Sequence, residues 1–493
     1  MKPMTLVGML IGVAIAARAY AATPSTQPDV RPNILLAIAD DWSWPHAGVY
    51  GDKVVKTPTF DRVAREGLLF SRAFCAAPSC TPSRAAILTG QAPHRLEAGG
   101  NLHGTLPAKF AVYPDLLEAS GYVVGHMGKG WAPGVLGDRK RNPAGPPFKS
   151  FEAFLKTVPV GKPFCFWYGS RDPHRPYIQG QGAESGMKAA EVIVPPFLPD
   201  APEVRGDILD YYFAVQRYDH DTGEILKQIE SAGRLDNTLV VMTSDNGMPF
   251  PRAKTNLYDS GSHMPLAIRW PAKIKAGRTT DALVSLTDLC PTFVEAAGLK
   301  ASSDMTGKSF FAEATGEAKI DREAVFIERE RHANVRKGDL GYPVRAIRTG
   351  NFLYLRNLRP DLEPAGDPEM WKAVGPYGDI DSGPSKDLIL LHKDAAVIAD
   401  FFQLACGHRP AEELYDLAKD PAQLHNVAEY PEYTAAKKTL RGQLDGWMQT
   451  TADPRAIVGG AYEGFDQYPY FGDRKPMPTS LPASAPARKT PAP

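Results

Sequence analysis

Residues 33 to 41 read NILLAIADD, a nearly continuous apolar run closed by two adjacent carboxylates, Asp40 and Asp41. Two other stretches share that design: KPFCFWYGSRDPH from Lys162 to His174, and NTLVVMTSDNG from Asn237 to Gly247. A short run without polar alternation is the pattern of a strand covered on both faces, since a half-exposed strand would place polar residues at every second position. Helical patterns lie between these runs. They are TPTFDRVAREG, with Thr57 before Pro58 and Gly67 as its stop, YPDLLEASG, with Gly121 as its stop, and a long segment from Asp207 to Gly233. In the long segment Leu209, Tyr212, Phe213, Ile225, Leu226 and Ile229 recur at spacings of three and four, which predicts an outer helix packed on a sheet through one face. Strands alternating with helices predict an α/β fold with a large, mostly parallel central sheet flanked by helices. Such sheets bind ligands beyond the carboxyl ends of their strands. Asp40, Asp41, His174, Asp245 and Asn246 all fall there.

The texture changes after about residue 335, where PVRAIRTGNFLYLRN (343–357) reads as two strands around Thr349, Gly350 and Asn351. This predicts a smaller C-terminal domain containing an antiparallel sheet. The opening MKPMTLVGMLIGVAIAARAYAATPS combines Lys2, an apolar stretch from Thr5 to Ala17 and the small-residue site Ala19-Tyr20-Ala21. It reads as an export signal. The expected organisation is a signal peptide at 1–21, a catalytic α/β domain at 22–335, the smaller domain at 336–475 and a disordered Pro/Ala/Ser-rich tail at 476–493. No second stretch reaches membrane length, so a periplasmic or secreted protein is expected, not an integral membrane one once the signal is removed. With 56 basic and 56 acidic side chains the chain lacks the broad basic field of a nucleic-acid binder. Its five cysteines are an odd number, so any disulfide pattern leaves one over, and Cys80 is the candidate.

Cys80 opens CTPSRAAILTG, in which Pro82 and good helix formers up to Gly90 predict a helix with the cysteine at its N-terminus. Free N–H groups and the positive end of the helix dipole favour an anion at such a place, and Arg84 adds a full charge one turn along. Asp40, Asp41, Asp245 and Asn246 offer oxygen ligands only, a set suited to a hard cation such as calcium or magnesium. Lys129, His174 and Lys254 are further groups able to donate hydrogen bonds to an oxyanion or to protonate a leaving group.

Taken in order, RPNILLAIADD, CTPSR, GYVVGHMGKG, DPHRPY, SDNG and ELYDLAKDPAQLHNVA resemble the formylglycine-dependent sulfatases of the alkaline-phosphatase-like superfamily. VPPFLPDAPEVR (194–205) and SDNGMPFPRAKTNLYDSG (244–261) resemble the branch with heparan N-sulfatase (sulfamidase) and related bacterial polysaccharide sulfatases. The resemblance implies that a maturation enzyme oxidises Cys80 to formylglycine. The hydrated aldehyde supplies the nucleophilic oxygen, and its second hydroxyl then expels sulfate. It also implies one Ca²⁺ held by Asp40, Asp41, Asp245, Asn246 and the modified residue 80, with Arg84 steadying the hydrate. Lys129, His174 and Lys254 would surround the sulfate, His174 serving as the preferred general acid.

One position departs from the family pattern: where a histidine normally follows the lysine by two residues, this chain has Trp131. Trp131 either packs under the pocket or stacks on a sugar, and His126 lies nearby in sequence. His94, His103, Arg175 and His263 are candidates to line the pocket. The implied function is an exported sulfatase for sulfated saccharides. A formylglycine-dependent phosphonate or phosphodiester hydrolase and a sulfated-glycan-binding protein weakened in catalysis stand as alternatives, because function lives in the site and not in the fold.

Overall fold

The computed structural model describes residues 31–369, 375–460 and 462–472. Eight strands form the large sheet: β1 (Asn33–Ala39), β2 (Leu68–Phe74), β3 (Val123–Gly128), β4 (Phe164–Gly169), β5 (Thr238–Ser244), β6 (His263–Arg269), β7 (Arg278–Thr280) and β8 (Val284–Ser285). Their spatial order is β3-β4-β1-β5-β6-β2-β7, with β8 beside β2. The three apolar runs of the sequence are thus the adjacent strands β4, β1 and β5, all mutually parallel. Only β6 runs antiparallel to its neighbours.

Side-chain alternation explains why β1 is apolar throughout. Ile34, Leu36 and Ile38 enter the core on one face, and Leu35, Ala37 and Ala39 enter the core on the other. Full burial stabilises by about 1.5–3 kcal/mol for each large aliphatic side chain, so a polar residue at any of these positions would forfeit that gain. The long helix Pro202–Ser231 packs on the face of Leu35, and helices Cys80–Thr89, Tyr113–Ala119 and Leu289–Ala296 pack on the face of Ile34.

The long helix begins at Pro202, upstream of the expected Asp207. Proline at a first helical position has its φ already set and no N–H to leave unpaired, and Glu203 complements the dipole. Phe213 lies off the buried stripe, half-buried under the Arg217 guanidinium at 5.4 Å, while Ile208, Tyr211, Val215 and Tyr218 complete the inner face. Helix Pro58–Arg65 stops before Gly67, where a Cβ would lie 2.0 Å from the Ile268 carbonyl oxygen.

The second sheet is antiparallel, in the order β12-β11-β10-β9, built from β9 (Ala324–Arg329), β10 (Val344–Thr349), β11 (Phe352–Asn357) and β12 (Glu412–Asp416). The β10–β11 hairpin turns at Thr349 to Asn351 as expected, with the Phe352 N–H donating to Thr349 Oγ1 at 3.0 Å. Strand β9 precedes the change of texture near residue 335. Helix Thr434–Thr450 covers this sheet through Leu440, Leu444 and Met448. The export signal and the Pro-rich tail lie outside the described residues. Among the described residues no helix is long and apolar enough to cross a membrane. All five cysteines are free and buried.

Candidate active site

The carboxyl ends of β1, β3, β4 and β5 open onto one cavity of about 590 Å³, lined by Asp40, Cys80, Lys129, His174 and Lys254 among others. Strand β1 delivers Asp40 and Asp41, and β5 delivers Asp245 and Asn246; all four are buried. Asp41 takes the left-handed conformation (φ 78°), which aspartate tolerates better than most side chains. That turn lets its N–H donate to Asp245 Oδ1 (3.1 Å) and its Oδ1 accept from Asn246 Nδ2 (2.7 Å).

Helix Cys80–Thr89 starts at the cysteine, follows an extended Ser79 and ends at Gly90 with φ 70°. The Cys80 thiol donates to Asp40 Oδ1 at 3.4 Å. Arg84, fully buried, donates from Nε to Asp245 Oδ2 (2.8 Å) and from Nη1 to the Lys129 carbonyl (2.6 Å). Its Nη2 lies 3.9 Å from Asp40 Oδ1 and has no hydrogen-bond partner. Lys129 leaves the end of β3 with Nζ 2.6 and 2.7 Å from the two Asp40 oxygens. Lys254 sits on the loop after β5. The N–H of the next residue, Thr255, donates to the Pro78 carbonyl at 2.8 Å, tying the loop to the segment that enters the Cys80 helix. Lys254 Nζ donates to Asp41 Oδ2 at 2.8 Å. His174, beyond β4, has Nε2 3.8 Å from Asp41 Oδ2 and Nδ1 2.6 Å from the Arg175 carbonyl.

Burial pushes the Cys80 thiol well above its usual range despite Lys129, so the residue is a protonated thiol. Burial also works to raise the Asp40 carboxyl, but Lys129, His174, Arg84 and Lys254 together hold it well below the carboxylate range. Asp41 is raised by burial. Burial works against the charge on Lys129 and Lys254, yet Asp40 raises the first, and Asp381 with Asp41 raises the second. The cavity therefore presents ammonium groups to a ligand.

Ligand atoms of Asp40, Cys80 and Asp245 lie within 4.8 Å of one another, all buried. Beside them Asn246 Oδ1 is buried without a hydrogen-bond partner. An orphaned acceptor next to converging carboxylates is what an oxygen-liganded cation would satisfy, so these residues fit a hard metal ion.

Every residue expected at the site from its motif thus converges on it. The pocket histidines divide. His103 and Arg175 line the cavity, whereas His94 and His263 do not. His94 is buried against Glu328 Oε2 (2.9 Å), and His263 is stacked between Trp44 and Phe74 at ring distances of 4.4 and 4.7 Å. Both are held by neighbouring side chains away from the cavity. His126 also stays away from the cavity, its Nδ1 held 2.8 Å from the Gly145 carbonyl. Trp131 is 2% exposed, its Nε1 donates to the Val135 carbonyl (3.2 Å) and its ring joins the core, and it also lines the cavity wall. Among the cavity residues that the sequence did not point to, two are ionisable groups beside the lysines and the Cys80 helix. Asp381 accepts from Lys254 Nζ at 3.0 Å, and His332 Nδ1 lies 2.8 Å from Ser79 Oγ. Neither belongs to a strand end, a periodic pattern or a spaced motif.

Residues 32–133 and 147–299 match the sequence model of the sulfatase family, and residues 252–356 match that of the N-sulphoglucosamine sulphohydrolase C-terminal region. The chain is 30% identical to human N-sulphoglucosamine sulphohydrolase over 86% of its own length and 91% of that protein. It is 28% identical to an ulvan-active sulfatase of Formosa agariphila, over 90% of this chain and 80% of that one. Among solved structures, BT4656 in complex with D-glucosamine-2-N,6-O-disulfate superposes with a TM-score of 0.60 at 21% identity, over 86% of this chain and 98% of that one. The phosphonate monoester hydrolase of Agrobacterium radiobacter shares the fold at a TM-score of 0.58 and 18% identity, over 87% of this chain and 97% of that one. With more than half of its length matched by the family model and the cavity built from the family's motifs, the chain belongs to the sulfatase family and is a sulfuric ester hydrolase resembling heparan N-sulfatase.

Proposed function

We propose that the protein removes sulfate from sulfated glycans in the periplasm or outside the cell, using formylglycine made from Cys80 by a maturation enzyme and a bound Ca²⁺. The observation that carries this reading is the convergence of Cys80, Arg84, Lys129, His174 and Lys254 with four oxygen-ligand side chains around one cavity. The relatives support the substrate class, one being named for ulvan and another for N-sulphoglucosamine. The N-terminal segment supports export.

A protonated, buried thiol is a poor nucleophile, which favours Cys80 as a precursor. As formylglycine hydrate, residue 80 supplies one oxygen for attack at sulfur and a second hydroxyl for releasing sulfate. Asp40, Asp41, Asp245, Asn246 and residue 80 would hold Ca²⁺, which adds positive charge at the sulfate oxygens. Lys129 and Lys254 place ammonium groups at the cavity, where the negative charge of the sulfonyl oxygens is met. Arg84, fixed by Asp245 and the Lys129 carbonyl, keeps Nη2 available beside Asp40. His174 keeps a proton on Nδ1, because the Arg175 carbonyl can only accept, and so turns Nε2 to the leaving group as the atom through which it exchanges a proton; donation there takes the doubly protonated ring.

The test is inorganic sulfate release by matured protein from N-sulfated and O-sulfated heparan saccharides and ulvan oligosaccharides. Cys80→Ala serves as control, and a parallel arm contains a calcium chelator. Release that is lost in the control and falls in the chelator supports the reading and identifies the linkage. Turnover of phosphodiesters in place of sulfates, with residue 80 confirmed as formylglycine, overturns it.

A further inference from the structure

The cavity has two chemical sides. Lys129, Lys254 and His174 gather around residue 80 and suit an anion. Asp381 is a carboxylate on the same wall, and a carboxylate repels a sulfate. It is not a swinging surface group. Asp379, two residues earlier, is clamped by Arg329 and Arg336 and accepts from the Ala333 N–H at 3.2 Å. After it, Gly383 packs so closely that a Cβ would meet Arg175 Nη1 at 2.3 Å, and Ser385 Oγ donates to Asp207 at 2.6 Å. Held from both sides, Asp381 accepts from Lys254 through Oδ2 at 3.0 Å, and Oδ1 has no hydrogen-bond partner among the described residues, with the side chain 27% exposed. One of its oxygens lies within 4.8 Å of ring or carboxylate atoms of both His174 and Asp41. That position is next to the group proposed to protonate the leaving atom, where the saccharide joins the sulfate.

We infer that Asp381 is a specificity-determining residue whose free carboxylate oxygen accepts a hydrogen bond from a hydroxyl or protonated amine on the sugar that carries the scissile sulfate. The inference rests on the sulfatase reading above. A half-buried acceptor selects for its donor because a bound substrate without one displaces water from the carboxylate and leaves it unpaired. The fixed geometry removes the ordering cost a mobile side chain would carry. His332, anchored by Ser79, lines the same cavity.

The experiment compares kcat/KM of wild type, Asp381→Asn and Asp381→Ser on 4-nitrophenyl sulfate, which has no neighbouring sugar donor, and on N-sulfoglucosamine and glucosamine 6-sulfate. The saccharide-to-aryl ratio is expected to fall at least tenfold in both variants, chiefly through KM. Deoxy and deamino analogues should be penalised more in wild type than in Asp381→Asn, whose neutral amide oxygen is the weaker acceptor, and the analogue that shows this identifies the donor. Equal losses on aryl and saccharide substrates would overturn the inference alone, placing Asp381 behind Lys254 as a support for charge. Failure of the wild type to turn over any of these sulfates would overturn the sulfatase reading and the inference with it.

Discussion

His174 shows how one hydrogen bond assigns a role. Its Nδ1 lies 2.6 Å from a carbonyl that cannot donate, so the ring keeps its proton on that side and exchanges protons through Nε2. That atom lies 3.8 Å from Asp41 and at the open part of the cavity, the side chain being 33% exposed. A general acid matters in proportion to how badly the leaving group needs a proton. His174→Ala is therefore expected to lower kcat for sulfated saccharides by about 10²–10⁴-fold, and for 4-nitrophenyl sulfate by far less. Leaving-group dependence measured across a series of aryl sulfates would steepen in the variant. A slope equal to that of wild type assigns the proton to another residue. The same scale shows what a sequence can conceal. Asp40, Asp41, Asp245 and Asn246 were legible because each ends an apolar run, and Cys80 because proline and glycine punctuate its helix. Asp381 and His332 were not, since they lie in irregular chain whose position depends on ion pairs such as Asp379 with Arg336, formed only after folding.

At the scale of elements, the ends of β3 and β4 approach too closely for side chains. The Lys129 N–H donates to the Gly169 carbonyl at 2.7 Å, and a Cβ on Gly169 would lie 1.8 Å from the Lys129 carbonyl oxygen. That oxygen also accepts from Arg84 and from Trp167 Nε1. Gly169→Ala must therefore push the β3 end away, moving Lys129 and loosening Arg84 together. Activity is expected to fall at least tenfold, with kcat carrying the loss, because displacing a positioned charge by a fraction of an ångström weakens its contact in the transition state. Mild destabilisation accompanied by wild-type kcat would show that the strand ends relax without moving the lysine. The central strands were readable in advance because burial on both faces leaves a local signature. Strand β6 has its apolar run, Met264 to Ile268, interrupted by Pro265, and strand β9 carries no such signature. The first is HMPLAIR, opening at a histidine whose burial comes from Trp44 and Phe74, and the second is AVFIER, with Arg329 and Glu328 buried through partners distant in sequence. The start of the long helix at Pro202 did have a signal, proline followed by glutamate, which the apolar spacing alone did not include.

Across the whole molecule, the two sheets meet through a shared core in which Phe74 of β2 joins Val325 and Ile327 of β9 and Ala346 of β10. Arg348 of β10 binds Asp259 with both Nε and Nη2 at 3.0 Å, and His263 stacks on Phe74 beside that pair. Burial lowers His263 to about 4, against the pull of Asp259 and with the help of Arg348 and Arg72, while its Nε2 donates to the Ser71 carbonyl at 2.9 Å. His46 is likewise lowered to about 4 by burial. An unfolded histidine takes its proton near pH 6.5, so between 6.5 and 4 the unfolded chain binds more protons than the native one. The stability these residues contribute is full above about pH 6.5 and is lost as pH falls to 4. Asp219, raised by burial to about 6, acts in the opposite sense, gaining stability as pH falls from 6 towards 4. The net slope thus mixes groups, but the contribution of His263 can be isolated. His263→Phe keeps a ring between Trp44 and Phe74 and removes the titration. Its unfolding free energy, measured by urea titration from pH 7.5 to 4, should become less sensitive to acid than that of wild type by about 3 kcal/mol over the window. The variant starts lower at pH 7.5, where the bond to Ser71 is missing, and the two curves converge as pH falls. Parallel curves would mean that His263 titrates normally and that the joint between the sheets admits a proton.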